Sequence, residues 1–489
     1  MGKVKTKQVK KTKVEIEQYN DLPKKETFEK LHDVKPVTRR DLLSTGLIGF
    51  SSSMVLPSFL TILARSGVAQ AQESLCKVAS TNDLCTFISV KCSGGMAVSA
   101  NALPLDKGGL LLSSYSKMGG GTGGSLPVAY EFANRAVFHA GSGVLAGIRA
   151  QASTLTLANA NFVPNWYRAQ DDSSQNKLDI TGLVIGSGVT GNILPNLGRA
   201  RTSTGVNNEF AHRQPPAPLI VSQYNDLPAS LGVSGSLSAL STAQKTSLFQ
   251  SVQSLTSSQA QAIQNMTGGT LLSRLLGCAN TDNTKLVGNA SSLNIDPLGN
   301  PAFSAVWGIN GNTNKGSQDF VFATMVFNAI NKNASTVNLE IGGGDYHNNT
   351  RASGDTKDLE IGSVLGRILQ SFAVMGKKGF VVFTTDGCVT SPESDTVGGV
   401  WASDRGVASG GYMLSYDPVG PHIIKGQQLG HFTSGQAADD TFLTGGSAEL
   451  AAGGYFANYL GFNGKINLLE TFLPRVFTTA EADLITKFT

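Results

Sequence analysis

The sequence predicts an α/β protein in which a mainly parallel sheet is flanked by helices and carries a helical insertion. Two observations support this class. Short β-rich apolar segments alternate with segments of helical period, and residues 317–390 have the pattern of a complete β-α-β unit. Of 489 residues, 40% are apolar, which is enough for a substantial core. Only 15% are charged, against about 25% in an average soluble domain, which is typical of an exported, loop-rich chain.

The amino terminus has the pattern of an export signal. A Lys-rich polar stretch precedes Arg39 and Arg40, a weakly apolar run covers residues 42–64, and Ala69 and Ala71 follow. This order resembles a twin-arginine (Tat) signal with cleavage after Ala71. The resemblance implies that the Tat export machinery is a partner and that the protein acts in the periplasm or is otherwise exported.

Two alternatives to a cleaved signal stay open, a chance Arg pair and a retained membrane anchor. Ser51, Pro57 and other polar or helix-breaking residues make the run a poor permanent span, so we favour cleavage. The domain plan is therefore a signal with a basic extension at 1–71 and a single α/β domain at 72–489, with an unknown periplasmic or surface partner.

The charge balance argues against nucleic acid as a partner. Residues 1–71 hold 13 Lys/Arg and 7 Asp/Glu, which leaves 26 and 28 for the remainder, so the exported part is slightly acidic. A nucleic-acid binding surface needs an excess of basic residues. The spacing of the five cysteines also matches no zinc pattern, although an oxidising compartment would permit a local disulfide between Cys76 and Cys85.

The predicted elements of the first half are short. They are a strand at Leu84–Val90, a second strand at Leu110–Ser114, a helix from Ser125 as N-cap to Arg135, and a strand-like run at Leu183–Ile185. A helical insertion is predicted at about 235–280. It contains the capping boxes Ser241 with Gln244 and Thr256 with Gln259, and an apolar stripe of Leu248, Val252, Leu255, Ile263 and Met266.

The segment 317–390 carries the candidate site. Its predicted elements are a helix at Ser317–Asn331, a strand at Thr336–Ile341, a helix at Lys357–Lys378 and a strand at Phe380–Thr385. Parallel strands bring Asp345 and His347, after the first strand, to the same carboxyl edge as Asp386, after the second. Two carboxylates and an imidazole suit a divalent cation such as zinc, manganese or iron. Equally, Asp345 and Asp386 could be ordinary turn residues.

The same segment resembles a known superfamily. The motifs Gly343-Gly344-Asp345-Tyr346-His347, Thr385-Asp386-Gly387 and Trp401-Ala402-Ser403-Asp404-Arg405-Gly406 look like the carboxyl half of Tat-exported proteins allied to alkaline phosphatase and sulfatase. The resemblance implies an alkaline phosphatase-like sheet that binds one or two metals and hydrolyses phosphate or sulfate esters. By position, the resemblance makes Asp345 and His347 metal ligands, and Asp386 and Asp404 second ligands or their partners. Near the first strand, Ser93 is the residue whose position would permit it to act as the nucleophile.

Three positions depart from that superfamily pattern. Met96 and Ala97 stand where the first strand should deliver an Asp, and Arg405 stands where relatives have a His. We expect Arg405 to neutralise the neighbouring carboxylates, because a fixed guanidinium can replace a cation. The sequence therefore offers fewer metal ligands than the superfamily pattern requires.

Two glycine motifs suggest a dinucleotide-binding alternative. Gly186-Ser187-Gly188-Val189-Thr190-Gly191 follows the strand-like run, and Glu209 lies roughly where a ribose-binding acid belongs. The run Gly119–Gly124 has the same spacing. Three function classes follow: a non-catalytic exported binding or assembly protein, which we place first, a metal-dependent ester hydrolase, and a dinucleotide oxidoreductase.

Overall fold

The structure is a computed structural model of the chain. It describes residues 84–122, 126–169, 178–189, 191, 194–199, 212–213, 215, 218–230, 294–344, 347–385, 387–391, 400–404 and 406–488, and a few positions between 241 and 261. The predicted signal at 1–71, with Arg39, Arg40, Ala69 and Ala71, lies outside the described residues, as do Cys76 and Glu209. No helix within the described part of the chain is both long and apolar enough to span a bilayer.

The secondary structure of the described residues alternates strands and helices. The strands are β1 (Thr86–Cys92), β2 (Ser114–Tyr115), β3 (Gly121–Thr122), β4 (Val128–Glu131), β5 (Ala136–His139), β6 (Ala160–Tyr167), β7 (Leu194–Gly198), β8 (Leu219–Ile220), β9 (Ala334–Ile341), β10 (Gly379–Thr385), β11 (Val389–Thr390), β12 (Ala402–Asp404) and β13 (Ser409–Tyr416). The helices are α1 (Val98–Asn101), α2 (Gly143–Gln151), α3 (Thr154–Ala158), α4 (Thr181–Gly186), α5 (Asp226–Ser230), α6 (Pro301–Trp307), α7 (Gln318–Ile330), α8 (Arg351–Met375), α9 (Ala448–Phe462), α10 (Leu469–Phe472) and α11 (Thr479–Ile485).

Seven of the strands form one mixed, mostly parallel sheet in the order β6-β13-β10-β1-β9-β7-β8. Strand β1 pairs in parallel with both β10 and β9, and only β13 runs antiparallel to its two neighbours. Helices cover both faces, so the predicted α/β class is confirmed. The β-α-β unit β9-α8-β10 is also confirmed, with β1 inserted between its two strands.

The two faces of the sheet pack against different helices. Ile88 and Val90 of β1 belong to a core cluster with residues of α7 and α8, and we call this side the first face. Phe87 points to the opposite side because side chains alternate along a strand, and its ring lies 5.4 Å from that of Tyr459 in α9. We call this side the second face.

Caps define the ends of the two helices of the β-α-β region. The Ser317 side chain accepts a hydrogen bond from the backbone of Phe320 and starts α7 where the sequence predicts. Helix α8 begins at Arg351, six residues before the predicted Lys357, because Thr350 is its N-cap. It ends at Met375, and the C-cap residue Gly376 adopts the left-handed conformation.

Two predicted elements near the amino terminus are wrong. Residues 110–114 are mostly a loop, since Leu110 is exposed and only Ser114 enters a strand. The predicted helix up to Arg135 is the hairpin β4–β5 instead. Tertiary packing overrides the helical pattern here, because Phe138 of β5 is fully buried with its ring 4.7 Å from that of Phe162.

The apolar run Leu183–Ile185 is also not a strand. It lies inside α4, whose last residue is Gly186. A short apolar run does not distinguish a buried strand from a buried helical turn. The glycine motif at 186–191 therefore follows a helix, and the residues after Gly119–Gly124 enter β4 rather than a helix. Neither motif has the strand-loop-helix context of a dinucleotide fingerprint.

The predicted insertion at 235–280 lies largely outside the described residues. Within it, the Ser241 and Gln244 pair forms the predicted capping box: the Gln244 amide oxygen accepts from the Ser241 backbone at 2.9 Å, and the Ser241 hydroxyl accepts from the Gln244 backbone at 3.3 Å. The second box and the apolar stripe are not among the described positions. Cys85 is a free, buried thiol rather than half of a disulfide, and burial raises its pKa to about 11.

Candidate functional site

The carboxyl ends of the three central strands lie side by side. Cys92, the last residue of β1, pairs with Ile341 of β9 and with Thr385 of β10. The segments that follow these strands therefore leave the sheet at one edge, as expected for a ligand site in an α/β protein. Asp345, Asp386 and Arg405 lie outside the described residues, and Asp404 is described by its backbone alone.

Ser93, the candidate nucleophile, lies at this edge. Its backbone N–H donates to the Ile341 carbonyl at 3.2 Å. Gly344 packs so closely against the Cys92 thiol and the Ser93 carbonyl that any side chain at this position would clash. The glycine run before Asp345 is thus held against Ser93 by direct contact.

The segments that carry the superfamily-like motifs also meet at this edge. The backbone N–H of Asn348, next to His347, donates to the Trp401 carbonyl at 2.6 Å, and the Trp401 N–H donates to the Asn349 carbonyl at 3.0 Å. Asp404 pairs with Val389 through the backbone of β12 and β11. The structure therefore brings His347 and the 401–404 segment into one neighbourhood.

A cation that the sequence interpretation missed lies among these segments. The Arg351 guanidinium donates to the Gly119 carbonyl, and its carbon lies 5.5 Å from the centre of the Trp401 ring. Its Nε atom is 3.8 Å from the Asp355 carboxylate. The pKa of His139 is lowered, first by burial and then by the positive charge of Arg351. The first turn of α8 therefore brings positive charge to the edge.

The described residues do not by themselves contain a metal centre. Within the ranges given above, no three His, Cys, Asp or Glu side chains are grouped so that they could hold an ion. A cation held by Asp345, His347 and Asp386 would depend on two residues that lie outside those ranges.

A row of polar side chains crosses the second face next to the carboxyl edge. Lys91 of β1 is in register with Thr384 of β10 on one side and with Glu340 of β9 on the other. Lys91 is only 3% exposed and Thr384 is 2% exposed. Residues in register on neighbouring strands project to the same face, so these three side chains are neighbours. We call Lys91, Thr384 and Glu340 the polar row.

The turn before α4 adds a buried carboxyl group beside the polar row. Asp179 accepts a hydrogen bond from the Thr181 backbone at 2.9 Å, and the Thr181 hydroxyl donates to Asn338 of β9 at 2.9 Å. Burial raises the pKa of Asp179 to about 6, while the Thr181 hydrogen bonds and the Lys91 charge oppose that shift. Lys91 is thus close enough to act electrostatically on Asp179.

At its other end, the polar row approaches hydroxyl groups of β6, β13 and α9. Ser409 of β13 pairs with Tyr167 of β6 and is fully buried. The Tyr455 hydroxyl occupies the space over Gly411 that a side chain there would need. Asn165 anchors α9 by donating to the Ala451 carbonyl at 3.3 Å.

A second group of charged residues lies in the loop before α9. His431 Nε2 is 2.8 Å from an Asp439 oxygen, and Arg168 is 2.8 Å from Asp440. Hydrogen bonds from Thr441, and more weakly from His431, lower the pKa of Asp439. These pairs tie the loop to the end of β6.

Lys91 is the main residue that the sequence analysis missed. The predicted first strand ends at Val90, two residues before the observed end of β1 at Cys92, so the prediction leaves Lys91 outside the strand. The detectable signal was Ser89 and Lys91 at alternate positions of a strand that is otherwise apolar. Comparison of the chain with protein-family models, with curated proteins and with solved structures finds no match.

Proposed function

We propose that this chain is an exported, non-catalytic binding protein with a degenerate alkaline phosphatase-like or sulfatase-like fold. The supporting features are the Tat-like amino terminus, the mostly parallel sheet, and the meeting of the His347 and 401–404 segments at the carboxyl edge. The observation that carries the proposal is the buried ammonium group of Lys91.

Lys91 supplies a fixed positive charge where an ester hydrolase of this kind would rely on a metal ion. It acts on the buried Asp179 carboxyl and is in register with Glu340. The negative charge of Asp179 is thereby partly offset by a side chain of the protein itself. This carboxyl group is then a poorer ligand for a divalent cation.

The departures from the superfamily pattern agree with this reading. Met96 and Ala97, which replace the expected first-strand Asp, are buried in the apolar core at 0% and 1% exposure. The Met96 carbonyl accepts from the Val389 backbone at 3.2 Å, so this segment serves packing and backbone pairing. The residues present there do not fit a metal site, and we derive no catalytic step through a metal.

A hydrolase is the second candidate, and one observation favours it. Ser93 contacts Gly344, directly before Asp345, and the Arg351 guanidinium lies near the same edge. A nucleophile and a positive charge in one place are the minimum for ester hydrolysis. The dinucleotide oxidoreductase is not favoured, because both glycine motifs lack their structural context.

An activity assay separates the two candidates. The exported protein is incubated with aryl phosphate and aryl sulfate, with zinc, manganese, iron or magnesium added in turn. We expect no turnover above that of a heat-inactivated sample. Turnover that disappears in Ser93→Ala, Asp345→Ala and Asp386→Ala would establish the hydrolase instead, and Ser415→Ala, a serine at the opposite end of β13, is the control.

Export is tested separately. Changing Arg39 and Arg40 together to Lys should leave the precursor in the cytoplasm, and the exported form should begin at Gln72. Amino-terminal sequencing of the exported protein gives this directly. An exported form that retains residues 42–64 would favour the membrane anchor.

A further inference from the structure

The amino ends of the central strands, opposite the candidate site, carry a group of lysines. We call this side of the sheet the amino edge. Lys378 directly precedes β10, and Lys332 lies two residues before β9. Lys378 Nζ donates to the Phe462 carbonyl at the end of α9 at 2.9 Å, and Lys332 Nζ donates to the Leu84 carbonyl at 2.7 Å. Both ammonium groups therefore lie at the amino edge.

Further lysines come to the same place through the end of α9. Lys465 lies three residues after Phe462, the last residue of α9. The Phe462 ring is 5.8 Å from that of Phe488, and the carbonyl of the preceding Lys487 accepts from the Lys425 backbone at 2.7 Å. We call the whole group the lysine patch; its members are Lys332, Lys377, Lys378, Lys425, Lys465 and Lys487.

The lysines of the patch are close enough to repel one another. Burial lowers the pKa of Lys332, and the charge of Lys377 lowers it further. Burial and the charge of Lys425 lower the pKa of Lys487 in the same way. Each of these effects disfavours the charged form, so an anionic partner at the patch would relieve a repulsion that is already present.

One carboxylate offsets part of this charge. Asp417 is 8% exposed, and its carboxylate lies 3.5 Å from Lys378 Nζ and 3.3 Å from His422 Nε2. Among the described residues, no ion pair is formed by the three exposed lysines of the patch, Lys377, Lys425 and Lys465. Residues 72–489 hold 26 Lys/Arg and 28 Asp/Glu, so composition alone does not explain this concentration of positive charge.

Two aliphatic side chains project from the loop that borders the patch, residues 417–425. Val419 is 93% exposed and Ile423 is 80% exposed, and no other large apolar side chain of the described residues is as exposed. The ring of His422 packs 4.4 Å from that of Phe462, which holds this loop beside the end of α9. Aliphatic groups next to lysines combine apolar burial with attraction to anionic lipids, the two terms that hold peripheral proteins on a membrane.

The course of the chain also points to a membrane. Leu84, the first residue that the structure describes, lies at the amino edge, and the predicted export signal precedes it in the sequence. Such a signal directs its protein to a membrane. Among anionic partners, a phospholipid bilayer also has a place for exposed aliphatic side chains, because its acyl region lies directly beneath the charged groups.

We propose that the lysine patch and the 417–425 loop dock the protein on an anionic phospholipid bilayer. The lysines bind the lipid phosphate groups, and Val419 and Ile423 enter the boundary of the acyl region. The carboxyl edge, at the other end of the same strands, then faces away from the membrane. This inference goes beyond the proposed binding function, because it assigns a partner to the opposite edge of the sheet.

The test uses an added tryptophan as a probe of depth in the full-length protein. Ile423→Trp is mixed with vesicles of brominated phosphatidylcholine, with and without phosphatidylglycerol. The three native tryptophans are at most 2% exposed, so quenching beyond that of the wild type reports the added indole. We expect this quenching with phosphatidylglycerol present and its loss without it. Added salt should also reverse it, because salt screens the attraction.

Leu359→Trp is the matched control for the position of the probe. Leu359 is 45% exposed and lies in the half of α8 that is nearer to the carboxyl edge. Its indole should remain unquenched on both kinds of vesicle. Every variant keeps residues 1–71, so any affinity of that segment for lipid is common to all of them and does not by itself bring position 423 to the bilayer.

The lysines are tested in the Ile423→Trp variant. Adding Lys425→Gln and Lys465→Gln should weaken docking about 20-fold, because each lysine near an anionic surface contributes about fivefold. The lipid concentration at half-maximal quenching measures this effect. Lys315→Gln with Lys357→Gln is the control, since it removes the same charge on the carboxyl side, where Lys315 lies over the Tyr224 ring and Lys357 donates to the Gly342 carbonyl.

Three results would overturn the inference: equal quenching of Ile423→Trp with and without phosphatidylglycerol, equal quenching of Leu359→Trp, or equal effects of the two lysine pairs. Polyglutamate is the last arm. If it changes the Ile423→Trp emission while no vesicle quenches it, the partner is an acidic protein and the bilayer is excluded. Metal content and ester hydrolysis concern the carboxyl edge, so they test the proposed function separately.

Discussion

The two faces of the central sheet show how one strand can serve packing and function together. On the first face, Ile88 and Val90 of β1 lie in a continuous apolar core with α7 and α8. On the second face, the same strand presents Phe87, Ser89 and then Lys91. Both faces are buried, so burial does not distinguish them. The two faces of β1 differ because Lys91, on the second face, needs a polar partner, whereas Ile88 and Val90, on the first face, do not.

Close helix packing supports the first face. Gly147 of α2 and Gly362 of α8 lie against the backbone of the opposite helix, so neither position has room for a methyl group. These close contacts between helix backbones are van der Waals contacts, and the two glycines bring no polar side-chain atom that needs a partner. At the carboxyl end of the second face, in contrast, an ammonium group, a carboxyl group and hydroxyl groups depend on one another. Substitutions on the two faces should therefore fail for different reasons.

The largest effect is expected from Lys91→Met. Removing the ammonium group leaves the buried Asp179 carboxyl without the opposing charge of Lys91, and an uncompensated buried charge costs about 3–5 kcal/mol. The free energy of unfolding in urea measures this loss. Lys357→Met is the control, because Lys357 pairs with Glu360 at 2.6 Å on the surface and such pairs contribute at most about 1 kcal/mol. Equal losses in both variants would contradict the role of Lys91.

The second effect is a pH dependence from Asp179. Its pKa is raised from 3.8 to about 6 in the folded protein, so the folded state binds the proton more tightly than the unfolded state does. Its contribution to stability is therefore present below pH 4 and is lost as the pH rises through about 6, a change of roughly 3 kcal/mol.

The measurement is the difference in free energy of unfolding between the wild type and Asp179→Asn at several pH values. The variant should gain stability relative to the wild type between pH 4 and pH 7, because it cannot ionise. A difference that stays constant over this range would show that Asp179 does not titrate as the structure indicates.

The smallest effect is expected on the first face. Gly362→Ala would place a methyl group against the Val144 backbone of α2 and should destabilise the protein by about 1–3 kcal/mol. The substitution adds and removes no titratable group and acts through a steric contact, so the loss should vary little with pH. Thermal unfolding at pH 5 and pH 7 measures this loss. Gly376→Ala is not a suitable control, because Gly376 has a φ of 59° and a side chain there would add backbone strain of its own.

The sequence predicts the elements that are held by local signals. The β-α-β unit follows from apolar periodicity and from caps such as Ser317, and its strand ends locate the carboxyl edge. Elements fixed by distant packing are missed. The Leu183–Ile185 run is too short to separate a helix from a strand, and the β4–β5 hairpin depends on the contact of Phe138 with Phe162.

The candidate site is predictable only in part for the same reason. The positions of Ser93 and of the glycine run before Asp345 at the carboxyl edge can be predicted from the order of the strands. The neighbours of Lys91 do not, because Asp179 is 88 residues away in sequence and reaches the sheet through the packing of α4. A register between strands that are far apart in the chain carries no local signal.

The central claim is that the positive charge at the carboxyl edge comes from the side chains of Lys91 and Arg351 rather than from a divalent metal ion. Elemental analysis of the full-length protein, purified without chelators, tests it most directly. The account predicts far less than one equivalent of zinc, manganese or iron per chain. One equivalent of a divalent metal, lost on changing Asp345 or Asp386 to Ala, would contradict it.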